Sequence, residues 1–156
     1  LRLGVDTFAA ALIGHCDAAR WHVSDQTLQL RETLCEIDLG IGFLPLGAPI
    51  SGVVVNGNRA LQRDPSQLVT QPYGEGWILD LAVENTAELQ GMLQAQAARE
   101  LAGLDLRRFR RRVALQLFAA TNEAGPCLAD GGELLTDLRK MLGGSSYLNL
   151  LRDLIH

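Results

Sequence analysis

The strongest constraint on the fold of this chain is a change of punctuation near residue 84. Before it, short segments rich in branched and apolar residues are interrupted by glycine, proline and asparagine; after it, apolar residues recur at helical spacing and Pro126 is the only proline. The first pattern predicts strands at 1–3, 18–23, 28–30, 34–39, 49–55 and 77–83, with Asp6 or Thr7 capping a short helix through Phe8, Ala11 and Leu12. Strands of that length and spacing close into a small sandwich or barrel.

The second pattern predicts helices. Asn85 and Glu88 suit a capping box for one running through Leu89, Met92, Leu93 and Ala97, with Gly103 near its end. Another begins at Asp105, with Leu106, Phe109, Val113 and Leu117 on one face, and Gly125-Pro126 stops it. Two shorter helices fit 133–142 and 145–155, parted by Gly143-Gly144. The predicted organisation is therefore a β-rich domain over 1–103 and a helical subdomain over 104–156, mainly β with α. A compact fold of 156 residues buries roughly 68–70% of its unfolded surface, so neither metal nor disulfide is needed to hold it.

Several function classes lose support at this level. No apolar run approaches the roughly 20 residues that span a bilayer, and the start lacks a signal-peptide pattern, so no membrane is expected and a cytoplasmic location is. A formal charge of −4 gives no general attraction to nucleic acid. Three cysteines, Cys16, Cys35 and Cys127, are widely spaced and match neither a disulfide framework nor a zinc pattern, and they read as reduced, buried thiols. His15, Cys16, His22 and Cys35 could be imagined as metal ligands, but no four-ligand spacing is present. No phosphate loop and no catalytic spacing of carboxylates, cysteine and histidine is recognisable, so the chain is read as neither an enzyme nor a holder of any cofactor.

The segment from Pro49 to Arg99 resembles the second half of the glycine cleavage H-protein family. The resemblance is borne by Pro49-Ile50-Ser51-Gly52, Val55-Asn56, Asn58, Asp64-Pro65 and Pro72-Tyr73-Gly74-Glu75-Gly76-Trp77, in the family's order and at about its spacing. More weakly, 1–14 is similar to the family's opening strand and short helix. This likeness implies a lipoyl-carrier-type β-sandwich, or barrel-sandwich hybrid, over about the first 100 residues, with the helical tail as an extension. From the residues alone, Asn56-Gly57-Asn58 reads as a turn that uses positive φ, and Pro72 to Gly76 as a second turn.

In that family a lysine at a hairpin tip carries lipoate. Counting back from Pro49 puts Asp38 at the position of the family's glutamate and Ile41 at that of the lysine. Thirteen of the 14 basic residues are arginine, and Lys140 is the only lysine. The implied function is a non-catalytic docking or assembly module without lipoate. Two alternatives stand beside it: a carrier of another small ligand or metal through the hairpin or thiols, and a regulator that binds an anionic partner through Arg107, Arg108, Arg110, Arg111 and Arg112. Those arginines are otherwise a solvated face paired with Asp105, Glu100, Glu123 and Asp137. Gly40 to Gly47 reads as a turn holding Ile41, Phe43, Leu44 and Leu46, an apolar knob for a protein partner or a second copy unless the helical tail covers it.

Overall fold

The computed structural model describes residues 1–21, 27–83, 85–90, 95–121 and 134–155. It divides into two units, Leu1–Met92 with Ile155–His156, and Leu93–Leu154.

The first unit is built from strands β1 (Arg2–Leu3), β2 (Ala18–Trp21), β3 (Thr27–Leu28), β4 (Thr33–Asp38), β5 (Phe43–Gly47), β6 (Gly52–Gly57) and β7 (Leu79–Ala82). One antiparallel sheet has the order β1-β7-β6-β3 and the other β2-β4-β5. Each buries one face, as strand alternation requires. In the three-stranded sheet the row Ala19, Ile37, Leu44 is aligned by register and is 6%, 0% and 0% exposed. In the other, Leu3, Val54, Leu79 and Leu81 are buried.

Short helices connect these strands. α1 (Thr7–Ile13) starts at Asp6, whose carboxylate accepts from the Ala9 amide at 2.7 Å, and ends at Gly14 with φ 65°. α2 (Arg59–Arg63) and α3 (Gln67–Thr70) lie between β6 and β7, and α4 (Thr86–Gln90) follows β7. Asn85 caps α4 through the Ala87 amide at 3.0 Å.

Asn58 joins two turns. Its side-chain oxygen accepts from the Ala60 amide at 3.0 Å, while Nδ2 donates to the carbonyls of Glu75 and Trp77, both at 2.7 Å. The expected positive φ at Asn56-Gly57-Asn58 is not what shapes the chain here: Asn58 has φ −74°, and among the described residues the positive-φ glycines are Gly14, Gly40, Gly42 and Gly143. Gly57 serves close approach instead, because a Cβ there would run into the Trp21 indole.

The second unit holds α5 (Ala95–Thr121), α6 (Leu134–Leu142) and α7 (Gly144–Leu154), which contact one another pairwise. Phe109, Val113, Leu138, Tyr147, Leu148, Leu150 and Leu151 are buried. Where the sequence suggests two helices meeting near Gly103, α5 runs through it. One glycine costs a helix about 1 kcal/mol relative to alanine, too little to break a run of good helix formers. Gly143, at φ 77°, lets α7 double back, and its carbonyl accepts from the Tyr147 amide at 3.0 Å.

Candidate functional site: the β4–β5 hairpin

The β4–β5 hairpin is set by backbone chemistry. Register pairs Asp38 with Phe43, so the loop is Leu39-Gly40-Ile41-Gly42. The Asp38 carboxylate accepts from the Gly40 amide at 2.9 Å, and the Leu39 amide donates to the Gly42 carbonyl at 3.1 Å. Gly40 and Gly42 take φ of 70° and 139°, which side chains with a Cβ resist. Asp38 is thus occupied in forming the turn. Leu39 points inward at 2% exposure, and Ile41 is half-buried between the two glycines.

The expected knob of four apolar side chains is corrected by the strand that follows. Residues 43–47 form β5 rather than a turn. Pro45 fits there because β5 is a sheet edge, where a missing N–H need not break the ladder. Alternation then sends Leu44 (0% exposed) and Leu46 (6%) inward beside their register partners Ile37 and Cys35, leaving Phe43 (40%) and part of Ile41 outward. The Arg20 guanidinium lies 5.2 Å from the centre of the Phe43 ring, a cation–π contact that fixes one side of this face.

The thiols sit behind it. Cys16 and Cys35 are free and buried, and Cys16 donates to the Ala18 carbonyl at 3.3 Å. Burial, with the Asp17 charge second, pushes the Cys16 thiol up to about 11. Burial, with Cys16 second, pushes Cys35 up to about 12. Both are poor nucleophiles near neutral pH, since the thiolate is the reactive form. His15 instead pairs with Asp17 at 2.8 Å on the surface. Among the described residues no group of three or more His, Cys, Asp or Glu side chains is disposed to hold a metal. His22 and Cys127 lie outside the described residues. A depression of about 320 Å³ lies against Arg20, Trp21, Leu34, Cys35 and Glu36, within the same sheet.

The five arginines all lie exposed on α5, in the other unit. Arg108 reaches Asp105 at 3.5 Å as the helical spacing suggests, and Arg112 pairs with Asp153 of α7 at 3.0 Å, which spacing along one helix could not reveal.

With this geometry established, comparison with known proteins identifies the architecture. The family model described as Glycine cleavage H-protein matches residues 1–103. The chain belongs to the glycine cleavage H-protein family. It is similar to the glycine cleavage system H protein of Cyanothece sp., with 30% identity over 97 residues, covering 62% of this chain and 75% of that relative. The "probable glycine cleavage system H protein 2" of Sulfolobus acidocaldarius is 39% identical over 96 residues, covering 62% and 64% respectively. A 48% identical stretch shared with the Halorhodospira halophila protein is shorter, 54 residues, or 35% of this chain and 42% of that relative. The crystal structure of an H protein from Mycobacterium marinum superposes with TM-score 0.55 at 25% identity, covering 65% of this chain and 76% of the other. H-proteins are carriers rather than catalysts, and the family work with partner proteins. Among the described residues no helix is long and apolar enough to cross a membrane.

Proposed function

We propose that this chain is an H-protein relative that carries no lipoyl group and acts as a non-catalytic docking module, engaging a protein partner or a second copy through the outer face of the β4–β5 hairpin. The observation that supports this reading is Ile41. Counting back from Pro49 assigns it the family's carrier-lysine position, its side chain has no amine to acylate, and the chain offers no lysine anywhere from residue 1 to 139. The contact surface is Ile41 with Phe43; Leu44 and Leu46, expected beside them, serve as the buried backing that holds the face rigid.

Intact-mass measurement after co-expression with a lipoate ligase and excess lipoate is expected to show the unmodified chain. A mass gain of one lipoyl group, mapped to any residue, contradicts the reading. Docking is tested by Phe43→Asp, which is expected to abolish dimerisation or partner capture with a near-unchanged melting temperature, since Phe43 is already 40% exposed. Retention of every such association by this variant would remove the hairpin from the account. The alternative of another small ligand rests on the depression beside Arg20 and predicts a stoichiometric adduct in native mass spectra.

A further inference from the structure

Among its described side chains, helix α5 bears apolar residues on two opposite faces, one buried and one exposed. Phe109 and Val113 are 3% and 1% exposed, with Leu106 half-buried beside them. Leu104 and Leu115 are 44% and 60% exposed. Eleven residues of helix return to within about 20° of the same direction, so these two leucines share a stripe, on the side opposite the buried one. Arg107, Arg108 and Arg111 fill the turns between them, all exposed. Arg108 has Asp105 at 3.5 Å. Arg107 and Arg111 have no carboxylate within 4.0 Å among the described residues. Isolated surface leucines need no explanation. Two of them in line, bracketing exposed guanidiniums that have no carboxylate partner among the described residues, do.

We infer that this face of α5 docks an acidic amphipathic helix of a protein partner. The pattern specifies its complement: apolar side chains about 16 Å apart, three helical turns, with carboxylates between them to meet Arg107 and Arg111 bidentately. Pairing of the face with itself in a second copy is disfavoured by charge, because a two-fold arrangement sets arginines against arginines. Nucleic acid makes no use of the leucines, and Phe109, the aromatic among the five arginines, is buried and cannot stack a base. A bilayer surface needs a broader apolar face than two separated leucines.

The test uses the full chain and fluorescence anisotropy with a labelled, side-chain-stapled helical peptide carrying leucines eleven residues apart and three glutamates on the same face. A control peptide has lysines in place of the glutamates. Saturable binding of the acidic peptide alone is expected, weakening about tenfold as NaCl rises from about 50 to 300 mM, because exposed charges are screened. The double variant Arg107→Glu/Arg111→Glu abolishes it, and Leu104→Ala/Leu115→Ala weakens it about tenfold. All four side chains are exposed, so helix content and melting temperature of both variants match the parent. Phe43→Asp leaves peptide affinity unchanged, which separates this site from the hairpin. The inference is overturned if the acidic peptide does not bind, if the lysine peptide binds equally, or if the double arginine variant binds normally. It is equally overturned if poly(U) RNA or phosphatidylserine vesicles bind in the peptide's place, or if the arginines drive only self-association of the chain.

Discussion

Asn58 is the buried polar side chain on which the first unit turns, 4% exposed and making three hydrogen bonds to backbone. Asn58→Ala removes the cap of α2 and strips two carbonyls of their donor. Each such loss costs about 1 kcal/mol or more, so a destabilisation of about 2–4 kcal/mol is expected in urea unfolding. Its place in the motif was legible in the sequence. Its role was not, because an asparagine before a helix reads equally as a left-handed turn residue, and only the distant carbonyls of Glu75 and Trp77 distinguish the two. Cys16 and Cys35 are the opposite case, since cysteines that match neither a disulfide framework nor a metal pattern already read as small buried apolar residues. Their raised thiol pKa values have a sign that can be checked. The unfolded chain releases these protons near the ordinary thiol value of about 9, the folded chain at about 11 and 12. The stability contributed by the protonated pair is therefore complete below about pH 9 and is lost as pH rises from there towards 11–12. Urea midpoints measured from pH 7 to 11 should fall at the alkaline end, and less steeply in the Cys16→Ala/Cys35→Ala variant.

At the scale of elements, the hairpin owes its shape to β5. Leu44→Ala, at 0% exposure, is expected to cost about 2–5 kcal/mol by leaving a cavity under the sheet, measured as a lowered urea midpoint. Phe43→Asp, one residue away, forfeits a cation–π contact of about 0.5–1 kcal/mol and little burial. Equal losses from the two would mean that the alternation described for β5 is wrong. Residues 43–47 read as a turn because Pro45 and three nearby glycines are turn residues wherever partners are unknown; the pairing of Glu36 with Pro45 at a sheet edge is long-range information. The same limit hid α2 and α3, one-turn helices between β6 and β7 that have no room for an apolar period. By contrast α1, α6 and α7 were legible from caps and spacing, since Asp6 and Gly143 act locally.

For the whole molecule, charge and composition divide along the chain. Residues 1–92 hold five arginines against eleven carboxylates, net −6, while residues 93–156 hold nine basic residues against seven acidic, net +2. Both tryptophans, Trp21 and Trp77, lie in the first unit, and each unit has buried apolar residues of its own. Leu138→Ala, at 0% exposure in α6, is therefore expected to lower the transition seen by helical circular dichroism while the tryptophan fluorescence transition moves little. A shift of equal size in both signals would mean that the two units melt as one. The change of punctuation near residue 84 marks where helices take over from strands, and the boundary expected at 103/104 falls inside α5, which crosses Gly103 without a break. The almost complete use of guanidinium for positive charge has a further consequence. Arginine is not an acceptor for acyl transfer or isopeptide bonds, so the chain as a whole is poor in nucleophilic side-chain amines. Lys140, exposed in the last turn of α6, is the sole side-chain amine in this sequence that could form an amide or isopeptide bond. An isopeptide tag on a side chain would therefore mark the helical unit.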